Sequence, residues 1–192
     1  MRPVAGEVLH FSEDPGITEF VPHVARTARV GPAYVWAVDA ARAPDYWFPR
    51  NCPRVLAWTT PTSSPADTKT IIGPGCGSRV HAVEYSWLER IRTVRLYAYR
   101  LPANVFEPLI EPQPIEPISK PEPHAHVATV PVRPLAPPEP VGDLLALHEQ
   151  AGIQLRALPE LSGFWAAVTA SSLGWSGIRL RNAAIWDPAI PR

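Results

Sequence analysis

Apolar and polar positions alternate with period two along several short stretches, the signature of half-buried strands. Residues 6–11 put Val8 and His10 on one face and Leu9 and Phe11 on the other; residues 94–101 set Val94, Leu96 and Ala98 against Arg95, Tyr97 and Tyr99; residues 153–158 alternate again. Continuous apolar runs at 34–38 and 54–58 predict strands buried on both faces, with a further strand at 79–83. Helical spacing replaces alternation at 84–92 (Trp87, Leu88, Ile91), at 142–151 (Leu144, Leu145, Leu147, closed by Gly152) and at 159–173 (Leu161, Phe164, Trp165, Val168). Asp39 is the expected N-cap of a short helix running to Tyr46, curtailed by Pro44. Loops are expected at 22–32 and 59–68, tight turns at 12–16 and 73–77, and a last strand at 175–180 with a basic end. This order predicts an α+β fold with a mainly antiparallel sheet and a few short helices rather than a regular βαβ wind.

Proline changes that picture in one place. The chain has 25 prolines in 192 residues, about 13% against a usual ~5%. Twelve of them fall between Leu101 and Pro140. Proline removes a backbone donor and fixes φ, so no regular helix fits there. The expectation is a single domain over 1–192 interrupted by a proline-rich insertion or loop at about 102–140, partly extended or polyproline-like, with an edge strand at 127–132.

The formal net charge is +0, which argues against a nucleic-acid binder that neutralises many phosphates. Lys69 and Lys120 are the only lysines, so the positive charge is almost all arginine. No apolar run is long enough for a signal peptide or a membrane span, and two cysteines make no disulfide framework, so a cytoplasmic protein is expected. His124 and His126 have metal-compatible spacing but no third ligand nearby; they read as loop residues and no metal is expected. The glycines of 73–77 lack the GK[ST] of a phosphate loop. Arg50 and Arg54 flank Cys52, and two roles stay open for them: bidentate forks on a phosphate, or ion pairs with Asp39, Asp45 or Glu84. Cys52 is either an activated nucleophile or a buried thiol. Arg179 and Arg181, alternating on one strand face beside Asn182, are candidate anion contacts.

The segments HFSEDP, VWAVDAARAPDYWFPRNCPRV, SWLERIRTVRLYAYRLPANVFE and SGIRLRNA resemble, in content and order, an uncharacterised bacterial family of unknown function. A looser likeness is to ADP-ribosyltransferase-like domains, in which a strand ending in a His-Gly-Ser/Thr motif is followed by a strand, an Asp and an aromatic helix. That resemblance implies NAD as cofactor. His10 would then bond a ribose hydroxyl, Ser12 would lie beside the nicotinamide ribose, and Tyr46 would pack on the nicotinamide ring. Glu84 would be the catalytic carboxylate, stabilising positive charge as it develops at the anomeric carbon. Phe11 stands where those domains carry Gly, and no [QE]xE pair precedes Glu84. The leading expectation is a nucleotide- or NAD-binding domain built on His10, Ser12, Tyr46, Arg50, Arg54, Glu84, Arg179 and Arg181, with catalysis left open. The alternatives are a non-catalytic module docking protein partners through its proline-rich segment and a small hydrolase using Cys52.

Overall fold

The computed structural model describes residues 2–24, 32–74, 77–109 and 125–185. Arg26, Arg29, Cys76, His124 and the prolines from Pro112 to Pro123, with the expectations attached to them, lie outside the described residues. Within them the chain forms β1 (Glu7–Ser12), β2 (Val35–Ala37), a 3-10 turn at Ala43–Tyr46 and β3 (Arg54–Trp58). Next come α1 (Pro65–Asp67), a π-helical turn at Thr68–Ile72, β4 (Arg79–Glu84), a 3-10 turn at Tyr85–Trp87 and α2 (Leu88–Thr93). Then follow β5 (Tyr97–Pro102), β6 (Glu107–Leu109), β7 (Ala125–Ala128), β8 (Glu139–Pro140) and α3 (Leu144–Gln150). The chain continues through β9 (Ile153–Leu158), α4 (Ser162–Thr169), β10 (Gly174–Ile178) and a 3-10 turn at Leu180–Asn182. The class is α+β, and every strand pairing but one is antiparallel.

The chain packs as two compact units, each assembled from two separate stretches. Unit 1 is Met1–Trp47 with Arg95–Val141, and unit 2 is Phe48–Val94 with Gly142–Arg192.

In unit 1, β5 lies between β1 and β8, and β7 lies between β2 and β6. A reciprocal pair of backbone bonds between Leu9 and Val38, 2.8 Å each, ties β1 to the end of β2. Val8, Phe20, Val35, Ala37, Tyr99, Leu101, Phe106, Ala128 and Val132 form its main core. Tyr99 straps the 12–17 turn onto that core: its hydroxyl donates to Asp14 O at 2.6 Å and accepts from Ile17 N at 3.1 Å. Of the stretch read as a proline-rich insertion, residues 102–109 and 125–140 carry β6, β7 and β8 and contribute Phe106, Ala128 and Val132 to this core. Pro102 ends β5, and Pro108 and Pro140 lie on the short edge strands β6 and β8, where a missing N–H is tolerated.

Arg100 on β5 joins three strands. Its Nε donates to Glu139 Oε1 at 2.6 Å and its Nη1 to Glu7 Oε2 at 2.7 Å. The Arg100 bond holds the Glu139 carboxyl below its ordinary value. A lowered carboxylate pKa stabilises the fold above the unfolded value, and that stability is lost as pH falls through the folded value. The Glu139 side chain is 44% exposed, so solvent screening keeps the effect small, about 1 kcal/mol or less. Wild type is therefore expected to lose urea resistance between about pH 5 and pH 3 more steeply than Arg100→Met. Parallel pH profiles of the two midpoints would contradict the assignment.

Unit 2 is a four-stranded sheet in the order β10-β3-β4-β9, with β4 and β9 parallel. The central strand β3 is buried along Arg54 to Ala57, as its unbroken apolar run implies. Strands β3 and β4 present Val55, Ala57, Val80 and Ala82 to Leu161, Trp165 and Val168 of the α4 segment. Asp143 caps α3, its Oδ1 accepting from Leu145 N (2.8 Å) and Ala146 N (3.2 Å), and Gly152 follows with φ 66°. The loop expected at 59–68 instead opens α1. Ser64 caps it by accepting from Asp67 N, and Pro65 sits where no N–H is needed. Arg156 then holds the end of the π-helical turn, donating to Ile71 O (2.9 Å) and Ile72 O (3.1 Å). Asp39 of unit 1 caps as expected, accepting from Ala41 N and Arg42 N, yet only the 3-10 turn Ala43–Tyr46 follows. Pro44 brings no amide to propagate an α-helix.

Candidate functional site

In unit 1, a hollow is lined by residues of β1, of β2 and its end, of the 3-10 turn and of β7. Leu9, His10, Phe11, Trp36, Ala37, Val38, Tyr46 and Ala125 line it, and its volume is about 50 Å³. A space of that size holds one or two waters; a whole small-molecule ligand fills several hundred Å³. Its chemistry is aromatic and apolar, with one phenol and one imidazole. Tyr46 arrives from the 3-10 turn and packs against the Leu9, Val38 and Ala43 cluster.

His10 Nδ1 lies 2.7 Å from Trp36 O, and its ring packs on Phe20 with centroids 4.6 Å apart. A carbonyl only accepts, so the neutral imidazole carries its proton on Nδ1 and a lone pair on Nε2. His10 thus splints β1 to β2 and at the same time edges the hollow. Ser12 is half-buried, and its hydroxyl accepts from Asp14 N at 3.1 Å, closing the turn after β1. His126, against the expectation of a loop, lies on a strand. It is a half-buried residue of β7, paired with Ala37, with Nε2 3.4 Å from Asp39 Oδ2.

The other predicted residues belong to unit 2. Arg50 is exposed. Arg54 is 3% exposed; its Nη1 donates to Cys52 O at 2.9 Å and its guanidinium lies 4.9 Å from the centre of the Phe48 ring. The partners described for Arg54 are thus a backbone carbonyl and an aromatic face. Burial pushes the Cys52 thiol up to about 12, against the lowering influence of Arg54. The thiolate a nucleophile needs is scarce there at neutral pH, which removes the support for a Cys52 hydrolase.

Glu84 ends β4, is 2% exposed, and accepts from Ala184 N through Oε1 at 2.9 Å. Arg179 and Arg181 do not alternate on a strand. β10 stops at Ile178, Arg179 has a left-handed φ of 58°, and Arg181 lies in the 3-10 turn Leu180–Asn182. The strand ends because Leu180 turns back into the core, where it is 8% exposed.

One polar feature escaped the sequence reading. His81 on β4 and His148 on α3, 0% and 1% exposed, face each other with Nδ1···Nε2 at 3.1 Å, and His148 Nδ1 lies 2.7 Å from Leu144 O. The Phe48 ring packs against both, at 5.7 and 5.0 Å. Sixty-seven residues separate the pair, so no local spacing could announce it. Among the described residues no three His, Cys, Asp or Glu side chains group as metal ligands, and no helix is long and apolar enough to cross a membrane.

The model of a family of unknown function, DUF6886, matches residues 9–183. No curated protein and no solved structure matches the chain, so the likeness to ADP-ribosyltransferase domains rests on sequence motifs alone.

Proposed function

The chain belongs to this family of unknown function, and from its own geometry we propose that unit 1 is a ligand-binding module whose hollow receives a planar ring, with the nicotinamide end of NAD or a related nucleotide as the ligand class. The observation that carries the reading is that His10 and Tyr46, 36 positions apart in sequence, edge one aromatic hollow together with Phe11 and Trp36. A ring would seat against Tyr46 and Phe11, where stacking contributes roughly 1 kcal/mol beyond area burial. His10 Nε2, an acceptor by the tautomer that Trp36 O selects, would take a hydroxyl or amide proton of the ligand. At about 50 Å³ the hollow admits the ring's edge only, so sugar and phosphates would lie outside it. Ser12, in the same unit, is a candidate contact for those parts.

Thermal unfolding with NAD, ADP-ribose and nicotinamide at millimolar concentration tests this. A saturating ligand present at about 100 times its Kd adds close to 3 kcal/mol, or several degrees in Tm. The rise should disappear in Tyr46→Ala and in His10→Ala. A flat response to all three compounds ends the proposal, as does a rise that survives both substitutions.

A second reading draws on the pairing of β6 with β7, which brings Leu109 and Ala125 to one sheet position at either end of residues 110–124. Those residues include five prolines. On this reading their proline-rich sequence is what a protein partner recognises. Replacing 110–124 by a short Gly-Asn turn should abolish partner capture with the melt unchanged; capture by the shortened chain would rule it out.

A further inference from the structure

Unit 2 buries two imidazoles against each other. The rings of His81 on β4 and His148 on α3 meet edge to face, 5.2 Å between centroids at 84°. Their hydrogen bonds run in one direction. Leu144 O only accepts, so His148 Nδ1, 2.7 Å away, carries a proton. A neutral His148 then has a bare Nε2, which at 3.1 Å takes the proton on His81 Nδ1. Both rings are held in the Nδ1–H form, and the chain of bonds closes with neither ring charged. Leu144 and His148 are also the two buried residues of α3, so the ring that accepts this bond is part of what seats the helix. Seven residues make a helix too short to persist without packing.

The surroundings oppose a charge on either ring. In the strand register His81 lies between Leu56 of β3 and Leu155 of β9, and the Phe48 ring packs against both imidazoles. The charged side chains of β3 and β4 that share its sheet face are cationic: Arg54, two positions from Leu56, and Arg79, two positions before His81. Each lies 4.9 Å from an aromatic ring centre, Arg54 at Phe48 and Arg79 at Trp58. Glu84 of β4 falls on the opposite face by alternation, and Cys52, just ahead of β3, keeps its proton with a thiol pushed up to about 12 by burial. On β9 the residues of the shared face, Ile153, Leu155 and Ala157, carry no charge. Asp143 and Glu149 at the two ends of α3 are exposed, as are Glu89, Arg90 and Arg92 of the neighbouring α2. An imidazolium at this place would be stripped of water, with guanidinium groups on its own face of the sheet.

We propose that the His81–His148 bond is a proton-sensitive latch, fastening α3 to β4 only while both rings are uncharged. Two charged rings would set N–H against N–H, and a first proton could stay in the bond only as an imidazolium sealed behind Phe48, Leu56 and Leu155. The unfolded chain meets no such obstacle, and its imidazoles charge near the ordinary value of about 6.5. Below that value the unfolded state binds more protons than the folded one. Stability is therefore full above about pH 6.5 and falls as the pH drops below it. The latch belongs to unit 2 and stands apart from any ligand of the unit 1 hollow.

Urea unfolding of the full chain at about pH 7.5 and about pH 5.5 tests the latch, with the double variant His81→Leu/His148→Met as the reference. Replacing both partners by apolar side chains leaves neither ring's donor or acceptor orphaned in the core. Two imidazoles that charge only on unfolding raise the wild-type unfolding constant about a hundredfold over that interval, beyond whatever change the double variant shows. His10, His23 and His126 are present in both proteins and cancel in the comparison. An excess below about tenfold, less than one such imidazole supplies, overturns the proposal. Should the double variant lose its cooperative melt, the wild-type rings are read directly from their nitrogen-15 chemical shifts. At about pH 5.5 the folded protein must still show His81 and His148 as neutral Nδ1–H rings, and an imidazolium at either position overturns the latch.

Discussion

Trp165→Ala is expected to lower the unfolding free energy of unit 2 by about 3–5 kcal/mol, the range for deleting a buried large aromatic. Trp165 is 1% exposed and meets Trp175 edge to face at 5.1 Å and 83°. With Val168 it is one of two buried residues within α4, so its loss removes much of that helix's hold on the sheet. The short helix has little to fall back on, because eight residues are marginal without packing. Nor can neighbours collapse into the space cheaply. A Cβ at Gly177 would come 2.7 Å from the Trp165 ring, which shows how closely β10 already approaches it. Against a total stability of about 5–15 kcal/mol the loss is large, and the urea midpoint followed by circular dichroism should fall by roughly 2 M. A drop under about 1 kcal/mol would mean that α4 is not seated as described.

Gly77→Ala is expected to cost about 1–3 kcal/mol, by overpacking rather than by a cavity. A Cβ at Gly77 would lie 2.2 Å from Gly152 O, a backbone atom that no rotamer change can move. Gly152 itself has φ 66° and immediately precedes β9, whose parallel pairing with β4 runs from Arg79 opposite Ile153. The added methyl therefore pushes on the first rung of that ladder. Gly142→Ala separates the two causes. It has φ 87° with no atom within 4 Å of the new Cβ, so it should cost only the left-handed penalty of about 1 kcal/mol. Equal losses in the two variants would show that Gly77 is not held by contact. Paired urea titrations decide it.

Much of the secondary structure was legible because local pattern decided it. The apolar run of 54–58 and the alternation of 153–158 are β3 and β9 residue for residue, and Asp143 with Gly152 brackets α3. Pairing was not legible, since β1 meets β5 some ninety residues on and β2 meets β7 at the same remove. Where a single residue overrode the pattern, the reading slipped. Arg179 takes a left-handed φ and turns what looked like a basic strand end into a 3-10 turn. Pro44 holds the segment after Asp39 to one turn. Prolines at 102, 108, 131 and 140 suggest a loop, yet the residues around them build two edge strands, one inner strand and part of a core. The convergence of His10 and Tyr46 at one hollow followed from the order of β1, β2 and the turn after it. The burial of Arg54 and Glu84 could not be foreseen, because it depends on β3 and β4 being inner strands of unit 2.

The interleaving of the two units bears on how the polypeptide is made. A ribosome delivering it from the N-terminus has emitted only half of unit 1 when it begins unit 2, and must return to finish unit 1 at Val141 before unit 2 can close. At about 5–20 residues per second, β1 waits several seconds for β5, its unpaired edge open to strangers meanwhile. No single cut liberates either half free of the other: the shortest leading fragment with all of unit 1 is 1–141, the shortest trailing fragment with all of unit 2 is 48–192, and each drags along a stranded piece of its neighbour.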